Sequence, residues 1–92
     1  MAAPTILAGD LNSDSTDVPG RILRRRLLDA QEEGGTGLGD TFPEANPSSR
    51  FDYIFYDDHF VVVPGSTRVQ TSDSSDHRSV FTKLTLLPKR RC

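Results

Sequence analysis

Residues 6–12 read Ile6-Leu7-Ala8-Gly9-Asp10-Leu11-Asn12, an apolar run that breaks off abruptly in a carboxylate and an amide. The stretch 4–9 shows no alternation of apolar and polar positions, which predicts a short strand buried on both faces. A strand of this kind, ending in polar groups, delivers them to a site at its C-terminal end. Residues 12–17, Asn-Ser-Asp-Ser-Thr-Asp, then supply turn and capping chemistry. The chain must therefore build a sheet, and that sheet opens on a polar turn.

The next segment changes period. Ile22, Leu23, Leu27 and Leu28 form an apolar stripe at helical spacing, with Arg24, Arg25 and Arg26 mostly outside it. Asp17 or Thr16 is the expected cap, and Pro19 suits the first turn. The expected helix spans about residues 18–33 and stops at Gly34-Gly35. Residues 34–50, rich in Gly, Pro, Asn and Ser, form a long loop, a feature usually functional or disordered in a small domain. Residues 51–56 are a strand by aromatic and β-branched content, and Asp57-Asp58 is a turn. Another strand starts at Phe60 and is interrupted by Pro64-Gly65. After a polar loop at 71–76, residues 79–87 alternate well enough for one half-buried strand. The expected fold class is α/β (α+β), one main helix against a mixed sheet. Residues 1–87 are the domain and 88–92 a basic tail.

At 92 residues the chain is one domain with a modest core. No apolar run approaches the ~20 residues of a membrane helix. The net charge of -2 gives no general pull toward nucleic acid. The single cysteine, Cys92, makes neither an internal disulfide nor a metal site. The N-terminus lacks signal-peptide character, which places the chain in the cytoplasm if Met1 is the true start.

Three polar constellations carry chemistry. Asp10 and Asn12, two apart on an extended segment, point the same way; a strand ending in an Asx-type turn is the plain alternative. Ser75-Asp76-His77 follows the polar loop, where the plain alternative is a loop leading into a strand. Asp52 lies in Arg50-Phe51-Asp52-Tyr53-Ile54, where the alternative is a strand carboxylate facing solvent. Carboxylates, an amide and an imidazole together suit metal-assisted phosphate chemistry. Other patterns fail on particular residues. Adjacent Ser75, Asp76 and His77 cannot form the face-to-face bonds of a hydrolase triad. A calcium loop begun at Asp10 meets Ser15 and Arg21 where Gly and Glu are needed. Gly35-x-Gly37-x-Gly39 lacks the P-loop lysine. His59 has no evident partner and reads as structural or surface.

In order and wording these motifs resemble the endonuclease/exonuclease/phosphatase superfamily, whose fold is that of DNase I, and specifically its C-terminal half. The resemblance implies half of a four-layered sandwich, with one sheet face left uncovered. It implies Asp10 as the base for attacking water, Asn12 and His77 as holders of phosphate oxygens, and Asp52 as the partner that fixes the His77 tautomer. Asp76 would lie near the metal. Phe51 replaces the isoleucine of the family's Arg-Ile-Asp-Tyr pattern, and Thr41-Phe42-Pro43 resembles a segment some members carry before that strand. The implied activity is hydrolysis of a phosphoester with Mg²⁺ or Mn²⁺. The family's main metal-holding glutamate has no counterpart, since Glu32, Glu33 and Glu44 lack a strand context. The cation would therefore be weakly held. Three expectations follow: a fragment of a metal-dependent phosphohydrolase, a non-catalytic phosphate-ligand or protein-binding remnant, or a subunit completed by another chain or a second copy. The partner is a phosphoester substrate; nucleic acid is allowed but not indicated.

Overall fold

The computed structural model describes residues 3–13, 17–36, 39–42, 49–70 and 77–88. In chain order the elements are β1 (Ile6–Asp10), α1 (Val18–Leu23), β2 (Leu28–Asp29), α2 (Ala30–Gly34), β3 (Asp52–Tyr56), β4 (Phe60–Val62), β5 (Arg68–Gln70), β6 (Ser79–Phe81) and β7 (Leu84–Leu86). The architecture is α+β: two short helices with strands in small antiparallel sheets, consistent with part of a DNase I-like fold. The sheets are ordered β1-β3-β2, β4-β7 and β5-β6.

The aromatic strand β3 is the centre. Strand alternation sends Tyr53 and Phe55 to one face, where they meet Leu27, with Leu11 and Leu23 packed around them. The Tyr53 and Phe55 rings stack at 5.5 Å. On the opposite face lie Asp52, Ile54 and Tyr56. The β1–β3 register pairs Ile6 with Tyr56, Ala8 with Ile54 and Asp10 with Asp52, so two carboxylates meet at one end of the ladder.

β1 is not buried on both faces as its unalternated sequence implies. It is an edge strand, exposed throughout, with Ile6 at 51% and Leu7 at 41% exposure. The run is apolar on both sides, but none of the described elements covers it.

The single helix expected over 18–33 is two helices separated by a turn and a strand. α1 ends at Leu23, residues 24–26 turn, and Leu28–Asp29 pairs with β3. Asp29 wins this competition. One carboxylate oxygen caps α2 by accepting from the Gln31 N–H at 3.1 Å. The same side chain holds both terminal nitrogens of Arg50, with Arg50 Nη1 at 2.7 Å from Oδ2. Such a buried ion pair costs desolvation but is destabilising to break, and it fixes residue 29 as extended. Leu27 then joins the core, while Ile22 and Leu28 stay exposed at 54% and 41%.

The strand expected over 79–87 also divides. Residues 79–81 pair with β5 and residues 84–86 with β4. The chain changes partners at Thr82-Lys83, where the Lys83 carbonyl accepts from the Val63 N–H at 2.9 Å and the hydroxyls of Thr67 and Thr82 lie 2.9 Å apart. β5 was not expected, because Arg68 and Gln70 flank its one apolar residue.

Candidate active site

The paired ends of β1 and β3 build the site. The ladder runs one step beyond Asp10, where the Leu11 N–H donates to the Phe51 carbonyl at 2.8 Å. The chain then turns sharply. Asn12 adopts φ 49°, a left-handed conformation that asparagine tolerates better than most residues. Its N–H donates to Asp10 Oδ1 at 2.7 Å. Residues 10 and 12 are thus not on one extended segment. An Asx-type turn brings them together, which orients Asp10 through one oxygen and leaves Oδ2 facing outward.

His77 completes the group. Its Nδ1 lies 2.6 Å from Asp52 Oδ2 and its Nε2 3.7 Å from Asp10 Oδ2. An ionised carboxylate only accepts hydrogen bonds, so with Asp52 ionised the Nδ1 carries the proton. Nε2 is thereby turned toward Asp10. At 3.7 Å the two atoms are not directly bonded, and a single oxygen beside them can reach both. The imidazole is held by packing as well: its centroid is 4.8 Å from that of Phe42 and 6.4 Å from that of Phe51. The next residue is anchored, with the Arg78 N–H donating to the Thr41 carbonyl at 2.7 Å. Asp76 lies outside the described residues.

Sequence reasoning missed what Thr41 does. The residue is fully buried. Its hydroxyl donates to Asp52 Oδ2 at 2.7 Å and accepts from the Phe51 and Asp52 N–H groups, each at 3.3 Å. Asp52 Oδ2 therefore receives Thr41 and His77 together. The only signal was the Thr41-Phe42-Pro43 wording, and nothing in it reveals a contact eleven residues away. Phe42 and Ser49 form an isolated antiparallel bridge that holds this segment beside β3. A cleft of about 470 Å³ opens from Asp52 and His77 along Ala8, Ile54, Val80 and Phe81.

Asp10, Asp52 and His77 offer three ligand atoms within 4.8 Å of one another. Groups of this kind could hold a metal. One oxygen of each carboxylate is already engaged, Asp10 Oδ1 by Asn12 and Asp52 Oδ2 by Thr41 and His77. Mg²⁺ is usually held by one or two carboxylates, with water and substrate phosphates completing its shell. The donor chemistry fits that open mode of binding and not a closed cage.

A second group sits at the other end of β3. His59 is not unpartnered: its Nδ1 lies 2.9 Å from Asp57 Oδ2, and its N–H donates to Asp57 Oδ1 at 3.0 Å. Burial alone would push the Asp57 carboxyl up. Hydrogen bonds from the His59 side chain and backbone, with the Thr5 backbone and the His59 charge, outweigh burial and hold it below its ordinary value. The phenol of nearby Tyr56 is pushed up, first by burial and then by the charges of Glu33 and Asp29.

The chain belongs to the Endonuclease/Exonuclease/phosphatase family, whose model matches residues 1–77. The matched span contains Asp10, Asn12, Asp52, Asp76 and His77. This is a superfamily of phosphoester hydrolases, generally dependent on a divalent metal. No curated protein and no solved structure matches the chain significantly. Among the described residues no helix is long and apolar enough to cross a membrane.

Proposed function

We propose that this site hydrolyses a phosphate ester with a divalent cation, by in-line attack of water on phosphorus. The observation that carries the reading is the Asp52–His77 hydrogen bond with the imidazole's far nitrogen turned toward Asp10. Asp10 Oδ2 takes a proton from the attacking water as the new P–O bond forms and the ester P–O bond breaks. His77, charged and donating through Nε2, steadies a phosphate oxygen as charge builds on it. Asn12 donates its side-chain amide to another. Asp52, held by Thr41, accepts from the Nδ1–H of His77 and keeps the ring in place. Asp76 is assigned to the metal. A bound Mg²⁺ or Mn²⁺ supplies charge neutralisation at the phosphate.

The substrate is defined only as a phosphoester, because one fold of this kind supports many chemistries. The test is hydrolysis of bis(p-nitrophenyl) phosphate with Mg²⁺ or Mn²⁺, with and without a chelator. Turnover should vanish with the cation. His77→Ala should lower it by about 10²-fold or more while the far-UV circular dichroism stays unchanged. Equal turnover in His77→Ala would remove His77 from the mechanism.

A further inference from the structure

We infer that Tyr53 is a positioning residue for Asn12; this rests on the reading that Asn12 holds a phosphate oxygen. Asn12 is exposed and sits in a left-handed conformation. Its own N–H is held by Asp10 Oδ1. The next residue is held from the other side, because the Tyr53 hydroxyl lies 2.8 Å from the Ser13 carbonyl. The same hydroxyl lies 2.9 Å from the Arg50 carbonyl. A phenol has one proton to donate, so it is shared between two acceptors. One acceptor follows Asn12, and the other lies two residues before Asp52. A single hydroxyl thus ties the turn after β1 to the segment entering β3.

Tyr53 is itself enclosed. It is 2% exposed, stacked on Phe55, and covered by the Arg50 guanidinium 4.3 Å from its ring centroid. That guanidinium is fixed by both carboxylate oxygens of Asp29 at the start of α2. A continuous set of contacts therefore runs from Asp29 through Arg50 and Tyr53 to the Ser13 carbonyl. The backbones of the flanking Asp10 and Asp52 are paired in the ladder, whereas Asn12 lies beyond it. Without the hydroxyl, the Asx turn at Asn12 loses its far anchor and opens more often.

The test is amide hydrogen exchange by NMR on the chain as it stands, comparing Tyr53→Phe with the parent. Exchange at Asn12 should speed up by about tenfold. The Leu11 amide, which is bonded to the Phe51 carbonyl, should keep its protection. Unchanged exchange at Asn12, or equal loosening at Leu11, overturns the proposal, because the second outcome is general destabilisation and not positioning. If Tyr53→Phe does not fold, the parent decides. A Tyr53 hydroxyl proton in slow exchange, with a through-space contact to Ser13, supports the proposal; a hydroxyl exchanging like an exposed phenol overturns it. A titration with inorganic phosphate separates this from the hydrolase reading. Asn12 and His77 signals that ignore phosphate count against the reading, while the exchange data judge Tyr53 independently.

Discussion

Two aspartates directly opposite each other in an antiparallel ladder repel, and cross-strand pairs of like charge are destabilising. Asp10 and Asp52 occupy such a pair. His77, placed against one and near the other, offsets the repulsion when charged, and Thr41 adds a donor to the more enclosed carboxylate. Asp52→Asn tests this at the residue scale. Asparagine keeps the shape but loses the negative charge that pairs with the charged imidazole. Turnover should fall by about 10²-fold or more, measured on the same phosphodiester, with little change in folding. A variant with full activity would show that the bond is incidental. That Asp10, Asp52 and His77 come together was legible because the motifs around them share the order and wording of one family. Thr41 was not, since a hydroxyl bonded to its neighbours across a loop leaves no local pattern. Asn12 was read as extended beside Asp10, and the Asx-type turn named as the plain alternative is what the structure has.

At the scale of elements, tertiary contacts override local period in two places. The stripe at 22, 23, 27 and 28 is helical by spacing, yet the Asp29–Arg50 pair and the α2 cap hold residues 28–29 in the sheet. Partner exchange at Thr82-Lys83 breaks an alternation that reads as one strand. The strand at 52–56, its following turn and the stop at Gly34 were legible, because aromatic content and glycine act locally. Gly34 has a further reason to be glycine. A Cβ there would lie 2.5 Å from Val62 Cγ2 and 3.0 Å from the Thr67 hydroxyl, whereas at Gly35 it would meet the Gln31 amide end at 2.6 Å. Valine is short and stiff, and the Thr67 hydroxyl also donates to the Ala30 carbonyl. Gly34→Ala should therefore destabilise by about 1–3 kcal/mol, and by more than Gly35→Ala, whose clash falls on a longer side chain. Thermal melts of the two variants check the order, and equal melting temperatures would contradict the packing of α2 on β4.

Across the whole molecule, the site end of β3 is matched at the other end by the Asp57–His59 turn. That turn, between β3 and β4, also meets the ends of β1 and β7: the Asp57 N–H donates to the Thr5 carbonyl before β1, and the His59 carbonyl accepts from Leu87 after β7. Because the Asp57 carboxyl is lowered in the fold, its contribution to stability is complete above the unfolded value of about 3.8 and is lost as pH falls through the folded value. Asp57→Asn should melt below the parent at neutral pH, and the gap should close below about pH 3.8. A gap that does not depend on pH would mean the charge is immaterial. Ile6, Leu28, Val61, Phe81 and Leu86 are exposed and lie on strands of three different sheets.

The central claim is that Asp10, working with Asn12, Asp52 and His77, activates water against a phosphoester. Hydrolysis of bis(p-nitrophenyl) phosphate by the purified chain and by Asp10→Asn, side by side in Mg²⁺ or Mn²⁺, tests it most directly. Cation-dependent turnover is expected in the parent and lost in Asp10→Asn. Equal turnover in the two, or none from a folded parent, would contradict it; the second result would leave a phosphate-binding remnant as the better description.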